Sequence, residues 1–158
     1  MDMTGGPLRP PRRPQGLRPD ITSAVTRGTA RFLREAGFAV VLEMPLATGR
    51  RVDIMALSAS GELLAIEVKS GREDFAVDRK WAGYREYCDA FAFAVSPEFP
   101  AMLLPEEVGL VIADAYGADW IRPPQALALP AARRKAMTIA FARLAALRLH
   151  AIDDPPMA

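Results

Sequence analysis

From residue 20 onward the chain switches between helical and strand periodicities. Asp20 is placed to cap a helix reaching about Ala36, in which Ile21, Ala24, Val25, Phe32 and Leu33 recur at helical spacing and Gly37 supplies the stop. FAVVLEMPL (38–46) is β-branched and aromatic and ends at a turn containing Gly49. RVDIMALS (51–58) and ELLAIEVKS (62–70) are two further strands joined across Ser60-Gly61. Residues 74–88 predict a helix with Val77, Trp81, Tyr84 and Cys88 on one face and Asp74 near its N-terminal end. AFAFAV (90–95) is apolar almost throughout, as a central strand covered on both faces requires. A proline-punctuated connection over 97–107, with one helical turn, leads to GLVIAD (109–114) and a short strand at 119–122. The last element is a helix over about 130–150, with Met137, Ala140, Phe141, Leu144 and Leu147 opposite Arg133, Lys135, Arg143 and Arg148.

Three strands with short connections predict an antiparallel meander, and the helix after them predicts a crossover to a parallel strand. The expected fold class is α/β, an αβββαβ order with a mixed central sheet flanked by helices and an extra C-terminal helix. One domain over 20–150 is expected, after a basic tail (1–19) whose Pro-, Gly- and Arg-rich composition predicts disorder, and before a flexible end at 151–158. The chain has 158 residues and is 51% hydrophobic, enough for a single core. Its one cysteine cannot form an internal disulfide, and no apolar run reaches bilayer length or forms a signal-peptide stretch. A cytoplasmic protein with no membrane association is expected.

The net charge of +1 divides unevenly. Residues 1–34 carry seven basic against two acidic groups, residues 35–121 seven against fifteen, and residues 122–158 six against two. An acidic middle between basic ends suits a metal site acting on a polyanion. Taken alone, a basic tail on an ordinary surface accounts for it more simply.

Strand alternation decides how the central acids are placed. Glu67 and Lys69 share one face of their strand, with Ile66 and Val68 on the other. If Ser58 faces Glu62 across the turn, Asp53 lies opposite Glu67; if the preceding loop is 46–50, Glu43 lies opposite Asp53. Three crowded carboxylates repel unless a cation holds them, and oxygen-only ligands suit Mg²⁺ or Mn²⁺. Lys69 beside such an ion can orient an attacking water. The alternative is a set of charges on a solvated sheet face, with Glu67 and Lys69 as a surface pair.

The spacing Asp53…Glu67-Val68-Lys69, on two strands after a helix, resembles the D…E-x-K signature of the PD-(D/E)XK nuclease superfamily, a restriction-endonuclease-like fold. The stretch RRVDIMALSASGELLAIEVKSGREDFAVDRKWAGYREYCDAFAFAVS, with GLVIADAYGADWIRP after it, resembles the MmcB-type DNA-repair proteins within that superfamily. The resemblance covers about residues 20–122. It implies Asp53, Glu67 and Lys69 as catalytic residues, and Glu43, Asp53, Glu67 and the Val68 carbonyl as metal ligands. Related nucleases often carry a glutamate in the middle of the first helix, where this chain has Thr26. Where many carry Q-x-x-x-Y on the crossover helix, this chain has Lys80 through Tyr84. The lysine there suggests a phosphate contact.

Arg50 and Arg51, at the mouth of the expected site, are candidate phosphate ligands. Tyr84 and Tyr87 are candidates for stacking on bases, with Trp81 and Tyr84 also placed for core packing and Tyr87 for exposure. With one Cys and one His a structural zinc site is excluded, and there is no P-loop. Two readings follow. One is a Mg²⁺- or Mn²⁺-dependent deoxyribonuclease serving repair. The other is a nuclease-fold module that binds DNA or a repair-protein partner and cuts nothing.

Overall fold

Six strands pair in sequence order into one mixed sheet: β1 (Ala39–Pro45), β2 (Arg51–Leu57), β3 (Leu63–Lys69), β4 (Ala90–Val95), β5 (Gly109–Ala113) and β6 (Ala118–Arg122). The computed structural model describes residues 18–77 and 80–157. β1, β2 and β3 form the expected antiparallel meander, β3–β4 and β4–β5 are parallel, and β6 returns antiparallel. The αβββαβ order read from the sequence is the one the chain adopts. Every residue of β3 is buried, because it is central in the sheet and covered on both faces.

Helix α1 (Arg18–Glu35) covers one face. Its Val25 and Leu33 pack with Ile54, Ile66, Val68, Ala92 and Val111. The helix begins two residues ahead of Asp20, so the last two positions of the expected tail are helical; the rest of that tail lies outside the described residues. The helix ends as expected at Gly37 (φ 89°), with Phe38 N–H donating to Leu33 O and Gly37 N–H to Arg34 O, which is a Schellman closure. Gly28 is where α1 meets the β5–β6 turn. A Cβ there would stand 1.9 Å from the Asp114 carbonyl oxygen, so only glycine permits this approach.

The other face holds a larger core built on Met55, Leu63, Ala65, Phe91, Phe93 and Val95. α3 (Ala131–Asp153) contributes Met137 and Phe141 to it and runs three residues past the expected end at 150. The single crossover helix expected over 74–88 is replaced by two short pieces, α2 (Arg72–Val77) and a 3₁₀ helix (Lys80–Tyr87). Residues 78 and 79, and the packing expected of Val77, fall outside what the structure describes. The reason for the 3₁₀ winding lies in the aromatics. Side chains three apart eclipse in that geometry, and Trp81 and Tyr84 both stack on Phe91, with centroids 5.9 and 6.2 Å away. Gly83, between them, also weakens an α-helix.

Candidate active site

The β2–β3 ladder runs from Leu57↔Leu63 to Ile54↔Ile66, and one step further Asp53 stands opposite Glu67. There the carboxylates take over the pairing. The Val68 N–H donates to Asp53 Oδ2 at 2.8 Å, and the Asp53 N–H donates to Glu67 Oε1 at 3.3 Å. The two carboxyls lie close enough to perturb each other's ionisation. Glu67 and Lys69 are buried and Asp53 is half-buried.

Electrostatics follow from this crowding. Burial first, and the charge of Asp53 second, push the Glu67 carboxyl up to about 8, with Lys69 pulling the other way. Burial also raises Asp53, against the Val68 N–H, Glu67 and Lys69. Both carboxyls are therefore harder to ionise than free acids, Glu67 most of all.

Glu43 is in register opposite Asp53, but it adopts φ 50°, in the left-handed region. The consequence is visible in packing. Val41 and Met44 are three residues apart, yet both enter the same core, so the strand's alternation shifts by one at Glu43. Arg148 of α3 holds the kink by donating to the carbonyls of Leu42 and Glu43. The Glu43 side chain is exposed, 4.0 Å from Arg51, and its charge raises Asp53. Two of the three expected carboxylates thus come into contact, and the third lies at the rim. Among the described residues no three Asp, Glu, His or Cys side chains form a ready metal cluster.

A cleft of about 760 Å³ contains Asp53, Glu67, Val68 and Lys69, with Glu43, Arg50, Arg51 and Lys80 around it. Arg50 crosses the cleft wall and donates to the Lys80 carbonyl at 3.0 Å, lying over Gly83. Tyr84 is buried, and its hydroxyl donates to the Arg51 carbonyl at 3.2 Å. Stacked on Phe91 and closed off from solvent, it has no face to offer a base, and its place at the cleft is to hold the backbone of Arg51. Tyr87 lies outside this lining. It is half-buried against the core rather than exposed, with the Arg133 guanidinium 4.9 Å from its ring centre. Sequence reasoning missed Glu73 and Asp74, which line the cleft from α2. Asp74 counted there only as a helix-end residue, although its position five residues after Lys69 in a short crossover was the available signal.

The donor set fits a hard divalent ion. Two adjacent carboxylates offer oxygen ligands and excess negative charge.

The fold agrees with that of a known protein. A 50% identical protein of unknown function from Silicibacter pomeroyi superposes with a TM-score of 0.83, covering 85% of this chain and 92% of its own. A repair endonuclease from Pyrococcus abyssi, 22% identical, aligns over 53% of this chain and 41% of its own with a TM-score of 0.37, too loose to support an activity. No curated protein matches the chain. The profile of DNA repair protein MmcB-like matches residues 10–156, and the chain belongs to that DNA repair family.

Proposed function

We propose that this protein is a Mg²⁺- or Mn²⁺-dependent deoxyribonuclease of DNA repair, with Asp53, Glu67 and Lys69 as its reacting centre. The observation that carries the reading is the contact between the Asp53 and Glu67 carboxyls, with the charge of Lys69 acting on both, inside a cleft rimmed by Arg50, Arg51 and Lys80. Asp53, Glu67 and the Val68 carbonyl would hold the ion, with Glu43 reaching in from the rim. When bound, the ion supplies Lewis-acid stabilisation of charge developing on the phosphate. Lys69 Nζ orients a water for in-line attack on phosphorus. A new P–O bond forms from the water, which gives up one proton to solvent, one ester P–O bond breaks, and the alkoxide leaving group takes one proton from solvent, giving an alcohol and a phosphomonoester. Arg50, Arg51 and Lys80 hold the flanking phosphates.

A second reading has its own observation. The acids stop at a contacting pair, with no trio among the described residues, as a nuclease-fold module that only binds DNA or a repair partner would allow. Incubating the protein with duplex, single-stranded and branched DNA, in Mg²⁺, Mn²⁺ or EDTA, separates the two. Metal-dependent cutting supports the enzyme. No cutting of any substrate, together with no Mn²⁺ binding by calorimetry, sinks it.

A further inference from the structure

A second groove, of about 560 Å³, opens on the other side of Glu43 and Asp53 and is walled by α1. It is continuous with the proposed site, because Glu43 and Asp53 line both cavities. Arg27, Arg31 and Arg34 stand along its α1 wall, all exposed and spaced by four and three residues, so they share one helix face. The only acids in its lining are Glu43 and Asp53, at the end that joins the site. Arg31 is tied down, its Nη1 donating to the carbonyls of Tyr116 at 3.1 Å and Ala115 at 3.4 Å. Among the described residues, Arg27 and Arg34 have no acidic partner. Thr26, between them and the site, adds a hydroxyl.

We infer that α1 carries a second phosphate track, which holds the DNA strand on the far side of the cleavage point from Arg50, Arg51 and Lys80. The inference rests on the proposed function and adds the path of the substrate. Its argument is charge and continuity. Three cations line a groove whose only negative charge lies where the proposed metal would neutralise it. From Arg27 to Arg34 the helix advances about 10 Å, enough to face two successive phosphates of one strand. Gly28 fixes the track in place by letting α1 dock on the β5–β6 turn without a side chain between.

The test is fluorescence anisotropy with a labelled DNA duplex of about 20 base pairs, and its single strand, titrated in EDTA from about 50 to 200 mM salt. The double variant Arg27→Ala/Arg34→Ala should weaken duplex binding about tenfold or more and flatten the log–log salt slope by about 1.8. Both sites are exposed, so the melting temperature should stay at the wild-type value. Arg27→Lys/Arg34→Lys should restore the slope, because it restores the charge. An unchanged slope in the alanine variant, with the wild type binding, overturns the track and leaves the proposed function standing. A loss that lysine does not restore also overturns it, since the role would then not be electrostatic. If the wild type binds neither form of DNA, the track is overturned, while the proposed function is decided separately by metal-dependent cutting.

Discussion

The raised carboxyl of Glu67 at the centre of the site makes the metal-free protein less stable as pH rises, and Glu67→Gln should remove most of that dependence. In the folded protein Glu67 holds its proton up to about 8, whereas its ordinary value is 4.5. Between those values the folded state binds more protons than the unfolded state, so stability is present at the acid end and is lost as pH rises through about 8. The interval is about 3.5 pH units; at 1.36 kcal/mol per unit the ceiling is about 5 kcal/mol. For a chain of this size that is a decline in melting temperature of at most roughly 10 to 20 °C. Asp53, also raised, contributes with the same sign from 3.8 upward. Asp114 is lowered by the N–H groups of Tyr116 and Gly117, and acts only at more acid pH. A glutamine at 67 is neutral throughout. Its amide can donate to Asp53 and its carbonyl can accept the Asp53 N–H, as the protonated acid does. The assay is thermal unfolding by circular dichroism in EDTA from pH 5 to 9. Wild type and variant should coincide at pH 5, and the variant should melt higher at pH 8.5. A variant that keeps the full wild-type decline would refute the raised Glu67 carboxyl.

Asp53→Asn should keep the Val68 N–H contact and melt at or slightly above the metal-free wild type, but weaken Mn²⁺ binding about tenfold or more by calorimetry; a lower melting temperature contradicts this. Gly28→Ala places a Cβ against the carbonyls of Asp114 and Gly117 and should cost about 3 kcal/mol. That corresponds to a fall in melting temperature of roughly 6 to 12 °C; an unchanged value shows that α1 does not dock there as described. Burial pushes the Cys88 thiol up to about 12, so it should resist thiol-specific disulfide reagents in the native protein and react only after denaturation. Reaction at native rates would show that the core around Phe91 opens.

The sheet and the placement of Asp53 opposite Glu67 were legible in the sequence for a simple reason. The Ser58–Gly61 turn fixes the register: Ser58 N–H does donate to Glu62 O, and Asp53 opposite Glu67 follows by counting. Counting also set Glu43 opposite Asp53, but it has no means of foreseeing a left-handed glutamate. That backbone choice is imposed by tertiary packing of Val41 and Met44 and by Arg148, more than a hundred residues away. The crossover helix was misjudged because Val77, Trp81, Tyr84 and Cys88 fit a period of 3.6, whereas Trp81, Tyr84 and Tyr87 fit a period of three equally well. The stacking partner that decides between them, Phe91, lies on another element. The arginines of α1 read as an ordinary solvated face. Only the groove between α1 and β1 gives them a direction.

The proposed role of Lys69, assisting chemistry at an ion held by its neighbours, is decided by comparing two proteins. Wild type and Lys69→Ala are measured side by side for Mn²⁺ affinity and for cleavage of labelled DNA. Lys69 lowers the proton affinity of both acids. Its loss removes a positive charge that competes with the cation, so at the alkaline end Mn²⁺ affinity should hold or tighten. Turnover should fall by about 10²-fold or more, the size typical of losing a group that assists proton transfer. Cleavage retained near the wild-type rate would remove Lys69 from the mechanism. Loss of Mn²⁺ binding together with a drop in melting temperature would make it a structural partner of Glu67 instead.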